Sequence, residues 1–138
     1  MLAVSWRDVV LAVLPGATLA GGVSARAVDA AGELLGAPLP EDLAELLRET
    51  GGIIAGDGLA VVWPVERIVR ENLELRAGAE LDGDLLFFGG GADDGAGERY
   101  ACVPTDPSRG IVAWRQRTGK RRTVATDLAD YVIGVLAA

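Results

Sequence analysis

Residues 35–52 read LGAPLPEDLAELLRETGG, and their order of small, apolar and acidic residues decides the reading of the fold. Leu39, Leu43, Leu46 and Leu47 recur at helical spacing and line one face of a helix. Pro40 suits its first turn, where a missing N–H has no partner to lose. Glu41 and Asp42 sit near the positive end of the helix dipole. Gly51-Gly52 stops the helix. Working outward, a Gly-bounded apolar run follows, ending in Trp63-Pro64, and then a helix that closes on Glu71-Asn72. Upstream, Val23, Ala27, Ala30, Ala31, Leu34 and Leu35 mark a second amphipathic helix, stopped by Gly36 and Pro38. The short link between these two helices predicts a helical hairpin. Trp6, Val9, Val10, Val13 and Leu14 mark a first helix, with Ser5 and Asp8 spaced as a capping box. Pro15-Gly16 ends it, and a loop is expected over Gly16 to Gly22.

Beyond Ile53 the period changes. Leu59 to Trp63 reads as a strand between Gly58 and Pro64. Val65, Ile68, Val69, Asn72 and Leu73 return to helical spacing. Leu85 to Phe88 is a continuous apolar run, expected to be a central strand. Tyr100 to Val103 and Ile111 to Gln116 are further strands. Thr118-Gly119 reads as a hairpin turn into a strand over Arg121 to Ala125. Leu128, Tyr131, Val132, Val135 and Leu136 form a last helical face, capped by Thr126 or Asp127. Helices first, then three or four consecutive strands, then a helix predict an α+β domain: an antiparallel meander with helices packed against it. No linker divides the chain, so one domain is expected over residues 1–138, with an N-terminal helix and loop in 1–22 and the core in 23–138.

With 138 residues, half of them apolar, the chain has the means to build a core and is not disordered by composition. Its net charge is −7, unevenly spread. Residues 1–108 carry 18 acids and 7 bases, whereas residues 109–122 carry six bases and no acid. An acidic surface repels phosphates and anionic lipid, so neither nucleic acid nor membrane is the expected partner; a basic protein is. The chain has no His and one Cys, Cys102. This removes His-based triads, His-ligated zinc, an intrachain disulfide and the usual general base near neutral pH. An enzyme is not expected, and the lone thiol suits a reducing compartment. The apolar N-terminus is interrupted by Arg7, Asp8 and Pro15, so neither a signal peptide nor a span is read there, and the expected location is the cytoplasm.

The Gly89–Glu98 segment, GGGADDGAGE, offers Asp93, Asp94 and Glu98 as hard oxygen donors. Its spacing matches neither an EF-hand nor a phosphate-binding Gly-Lys-Ser/Thr loop. It reads as a solvated strand connection, with no metal or other cofactor expected. Asp82 and Asp84 flank Gly83, which is turn chemistry before it is an acid–base pair. Together, Asp82, Asp84, Asp93, Asp94 and Glu98 are expected to form one acidic patch at neighbouring strand ends that steers a basic partner. Cys102, inside a strand with no His to activate it, reads as a structural thiol. Trp6, Trp63 and Trp114 each read as a packed or half-buried side chain before a binding platform; Trp114, beside the basic stretch, is the best candidate for an exception. Residues 115–122, RQRTGKRR, read as a charged hairpin that also guards a sheet edge.

Gly36, Leu39-Pro40, Leu43, Leu46-Leu47, Gly51-Gly52, Trp63, Asn72, Leu85-Leu86-Phe87-Phe88-Gly89 and Asp127-Leu128 with Tyr131 occur in an order that resembles the SUKH superfamily, the Smi/Knr-type domain of fungal cell-wall regulators and bacterial immunity proteins. The resemblance runs from about Gly22 to Leu136. Thr50-Gly51 departs from the Asn-Gly common there. The resemblance implies a curved, antiparallel-rich sheet with packed helices, no catalytic site, and a protein partner. For bacterial members that partner is mostly a cognate toxin, often a nuclease or deaminase; fungal members serve as regulators and scaffolds, so a regulatory or scaffold domain with a housekeeping partner is the alternative. It carries over no contact residue and no oligomeric state.

Overall fold

The computed structural model describes residues 5–13, 15–55, 60–77, 85–90, 98–115 and 118–137. The elements run α1 (Trp6–Val13), β1 (Thr18–Leu19), α2 (Ala25–Leu35), α3 (Glu41–Thr50), β2 (Ile53–Ile54), β3 (Ala60–Val62), α4 (Val65–Ala77), β4 (Leu86–Gly90), β5 (Glu98–Cys102), a 3-10 turn at Pro107–Arg109, β6 (Ile111–Arg115), β7 (Lys120–Ala125) and α5 (Leu128–Ala137). The strands form two antiparallel sheets, β1-β2-β3 and β4-β5-β6-β7. The α+β class and the meander are as the sequence predicts. The three-stranded sheet adds to that expectation: two of its strands have two residues each, too few to show a period, and β1 lies where a loop is expected.

Several helix boundaries have a local cause. Ser5 Oγ accepts from Asp8 N at 3.1 Å and opens α1. Ser24 Oγ accepts from Ala27 N at 3.1 Å and opens α2, which ends at Gly36 with φ 85°. There Ala37 N donates to Gly32 O and Gly36 N to Glu33 O, a pair that satisfies the last carbonyls of the helix. Pro40 stands just outside α3, with ψ 145°, and its carbonyl accepts from Ala44 N. Asp127 Oδ1 accepts from Asp130 N at 2.7 Å and opens α5, while Asp130 reaches back to Thr126 N. Two arginines close helix C-termini from other elements: Arg76 Nη1 donates to Leu35 O at 2.7 Å, and Arg7 Nη2 to Glu49 O at 3.1 Å.

Thr50, fully buried, replaces the expected Asn at the end of α3 without loss. Its hydroxyl donates to Leu46 O and accepts from Gly52 N. Gly51 follows at φ 63°, and a side chain there would run into the Gly21 carbonyl. The loop before α2 is therefore seated on the end of α3.

One core joins both sheets to the helices. Leu43, Leu46, Leu47, Ile53, Val61, Val62, Trp63, Ile68, Phe87, Phe88 and Tyr131 are buried within it. Burying each such side chain removes apolar surface worth about 1.5–3 kcal/mol. α3 contributes the leucine stripe read from the sequence. α4 contributes Val65, Ile68 and Asn72, while Leu73 is 44% exposed and lies off the face assigned to it. α2 packs on α3 and α4, and α1 on α3 and α5.

Candidate functional site

The described surface divides into a buried polar network at the sheet junction and a charged hairpin at the far sheet edge. The first is built on α4. Asn72 Nδ2 donates to Ile68 O at 2.7 Å and Phe87 O at 2.8 Å, and Oδ1 accepts from Phe87 N at 2.9 Å. The carboxamide thus pairs with β4 as a neighbouring strand would. Trp63 continues this edge. Its backbone N–H donates to Phe88 O at 2.8 Å, and its indole Nε1 to Gly90 O at 3.0 Å. The Tyr131 hydroxyl donates to Val61 O at 2.7 Å. Gly89 lies where these three converge: a side chain there would land on the Val61 carbonyl and within 3.2 Å of the Tyr131 hydroxyl. Tyr131 also packs edge-on against Phe88, at 5.3 Å between ring centroids. Burial raises its phenol well above 10.0. This network holds the fold together and contains no activated nucleophile.

The second feature is organised by Glu98. It begins β5, opposite Arg115 of β6, which lies opposite Lys120 of β7. Arg122 lies opposite Ala113, itself opposite Tyr100. The small Ala113 lets Arg122 reach across β6, where Nη2 and Nε donate to the Glu98 carboxylate at 2.8 and 3.3 Å. Arg115 stands 3.8 Å from the same carboxylate. The Arg122 hydrogen bond holds Glu98 below its ordinary 4.5; burial opposes this shift, and the charges of Arg122 and Arg115 add to it. Glu98 is therefore a strand residue gripped by two arginines rather than the end of the loop. Gly89 and Gly90 are likewise in a strand. Asp82, Asp84, Asp93 and Asp94 lie outside the described residues, as does the metal reading of the loop. Among the described residues, no three Asp, Glu or Cys side chains gather as a metal ion requires.

Trp114 is not placed for binding. It is 4% exposed, and its ring centroid is 5.2 Å from that of Phe87. It belongs to the core because residues alternate along β6 between the two sheet faces, sending Trp114 and Arg115 to opposite sides. Cys102 ends β5. Burial, with the nearby charge of Asp42, pushes its thiol up to about 12, so it stays protonated and inert. A further charged group was not singled out from the sequence, although the i,i+4 spacing of Arg67 and Glu71 on α4 signals part of it: Glu71 stands 3.6 Å from Arg67 and 3.8 Å from Arg99, and the Arg67 guanidinium lies 4.9 Å from the Trp63 ring centroid. Between α2 and α3 runs an open groove of about 480 Å³, with Val28, Gly32, Pro38 and Leu39 beneath Asp29 and Glu33.

The residues that stitch the junction are those that carry the resemblance: Trp63, Asn72, the Leu85–Gly89 run and Tyr131. The sequence profile of the SMI1 / KNR4 family (SUKH-1) matches residues 22–134. The chain belongs to this family. Its SUKH-1 domain thus takes in every element from α2 to β7 and most of α5, leaving α1 and β1 before it. No curated protein matches the chain. Among the described residues, no helix is long and apolar enough to cross a membrane.

Proposed function

We propose that this SUKH-1 domain is an immunity protein: it binds a cognate bacterial toxin of the nuclease or deaminase class and blocks it without catalysis. Family membership carries this reading, since bacterial domains of this type act mostly by binding toxins. The charge distribution supports it. A toxin that handles nucleic acid presents a basic face, and residues 1–108 carry 18 acids against 7 bases. Asp82, Asp84, Asp93 and Asp94 are the proposed steering charges. Glu98 belongs to the same set by position, but two arginines already offset its charge. The groove between α2 and α3, apolar below and acidic at its rim, suits an apolar side chain flanked by basic ones.

The test is co-expression with the product of the neighbouring upstream gene, scored by growth and by co-purification. Restored growth with a stable complex is the expected result. A complex without growth rescue would point instead to a regulatory or scaffold partner, and neither complex nor rescue would overturn the reading for that gene pair.

A further inference from the structure

We propose that the outer edge of β7 is a docking site for an extended acidic segment of a partner polypeptide, which adds to the four-stranded sheet as a fifth strand. The charge of this edge is opposite in sign to that of the steering carboxylates proposed above. β7 is the last strand of its sheet, and among the described residues no strand pairs with its outer side. Five consecutive residues, Lys120 to Val124, are exposed, before Ala125 turns into the core. Along that side, main-chain N–H and C=O groups face outward, the template that strand addition uses.

Charge selects the occupant. Lys120, Arg121 and Arg122 are consecutive, so strand alternation sends positive charge to both sheet faces. On the face of Lys120 and Arg122, Arg115 joins them: Arg115 and Arg122 pair with the carboxylate of Glu98, and Lys120 lines the same depression. These side chains, with Thr118 and Arg121, line an open depression of about 330 Å³. Glu98 also holds Arg122 in place, so less side-chain freedom remains to be lost when a further carboxylate arrives. Val124, 38% exposed, offers an apolar contact at the end of the strand.

A second copy of this edge is the wrong occupant, because pairing β7 with itself sets basic residues against basic residues. Nucleic acid has no amide backbone to pair with the exposed main-chain groups of β7, so it could use only the charge of this edge. Charges that reject a like-charged strand admit an oppositely charged one, which is how one edge both prevents aggregation and chooses a partner.

The test uses the full chain and a short fluorescent peptide rich in Glu and Thr, read by anisotropy at low and moderate salt. Three controls accompany it: the peptide N-methylated at alternate residues, its Gln analogue, and a single-stranded RNA of equal charge. N-methylation removes strand hydrogen bonds and leaves charge untouched, so it should weaken binding at least about fivefold. Lys120→Glu, at an exposed position, should weaken it about as much while leaving the far-ultraviolet spectrum unchanged. The Gln analogue should not bind. Equal binding of the N-methylated and parent peptides would overturn strand addition. Failure of the acidic peptide to bind, or tighter binding of the RNA, would overturn the assigned occupant. None of these results bears on the toxin reading, whose steering charges are Asp82, Asp84, Asp93 and Asp94.

Discussion

Asn72 shows how one side chain can replace a strand. It is 1% exposed, and its amide satisfies both main-chain groups of Phe87. Asn72→Ala leaves that N–H and C=O buried without partners and is expected to cost about 3 kcal/mol, measured by urea unfolding. Asn72→Asp should be no milder, because a carboxylate cannot donate to the Phe87 carbonyl and its charge would be buried. Tyr131 carries a pH signature of its own. Its folded phenol is raised above 10.0, so the stability it contributes is complete below pH 10 and declines as the pH climbs towards the folded value. Tyr131→Phe should flatten the alkaline limb of the stability profile, while lowering stability near pH 7 by about 1–3 kcal/mol through the orphaned Val61 carbonyl. An unchanged alkaline limb would mean that Tyr131 is not the group titrating.

At the scale of elements, the β5–β6–β7 hairpins place Glu98 among cations that lie 17 and 24 residues away in sequence. Because Glu98 is held below 4.5, its contribution is present above that pH and is lost as the pH falls through the folded value. Glu98→Gln should therefore reduce the slope of stability against pH below about 4.5, with a small effect at pH 7, since exposed ion pairs contribute little. No reading of a linear charge string gives this arrangement. It depends on register, which is set by the bulge between Ile111 and Val112 and by the turn that brings Thr118 N and Gly119 N to Arg115 O. The helices were legible because their caps and apolar periods are local: Ser5, Gly36, the leucines of α3 and Gly51 all act within a turn or two. The two-residue strands β1 and β2 were not, since pairing rather than pattern creates them. Trp114 is buried, as its place in a strand suggests, and the exception its basic neighbours offered does not hold, because alternation along β6 turns its ring into the core.

Across the whole molecule, membership of the SUKH-1 family was legible in the order of scattered apolar and glycine positions, and the structure gives those positions a physical reason. Trp63, Asn72, the Leu85–Gly89 run and Tyr131 build the junction between the sheets, while Gly36, the leucines of α3 and Gly51 shape the helical hairpin. The proposed partner specificity rests chiefly on charge instead. If the acidic surface steers a basic toxin, its association rate should fall as ionic strength rises, because screening shortens the reach of exposed charges to about 8 Å at physiological salt. Replacing Asp82, Asp84, Asp93 and Asp94 with Asn should slow association at low salt and flatten that dependence in stopped-flow measurements, with dissociation little changed. A rate that ignores both salt and these substitutions would remove electrostatic steering from the account.

The central claim is that the domain acts by occupying its target, with no turnover. A titration of the co-purified toxin's activity against increasing amounts of this protein tests it most directly. Loss of activity that is linear in added protein and complete at a fixed stoichiometric ratio is the predicted result. Inactivation that continues at far less than one equivalent, or a complex in which the toxin stays fully active, would contradict it.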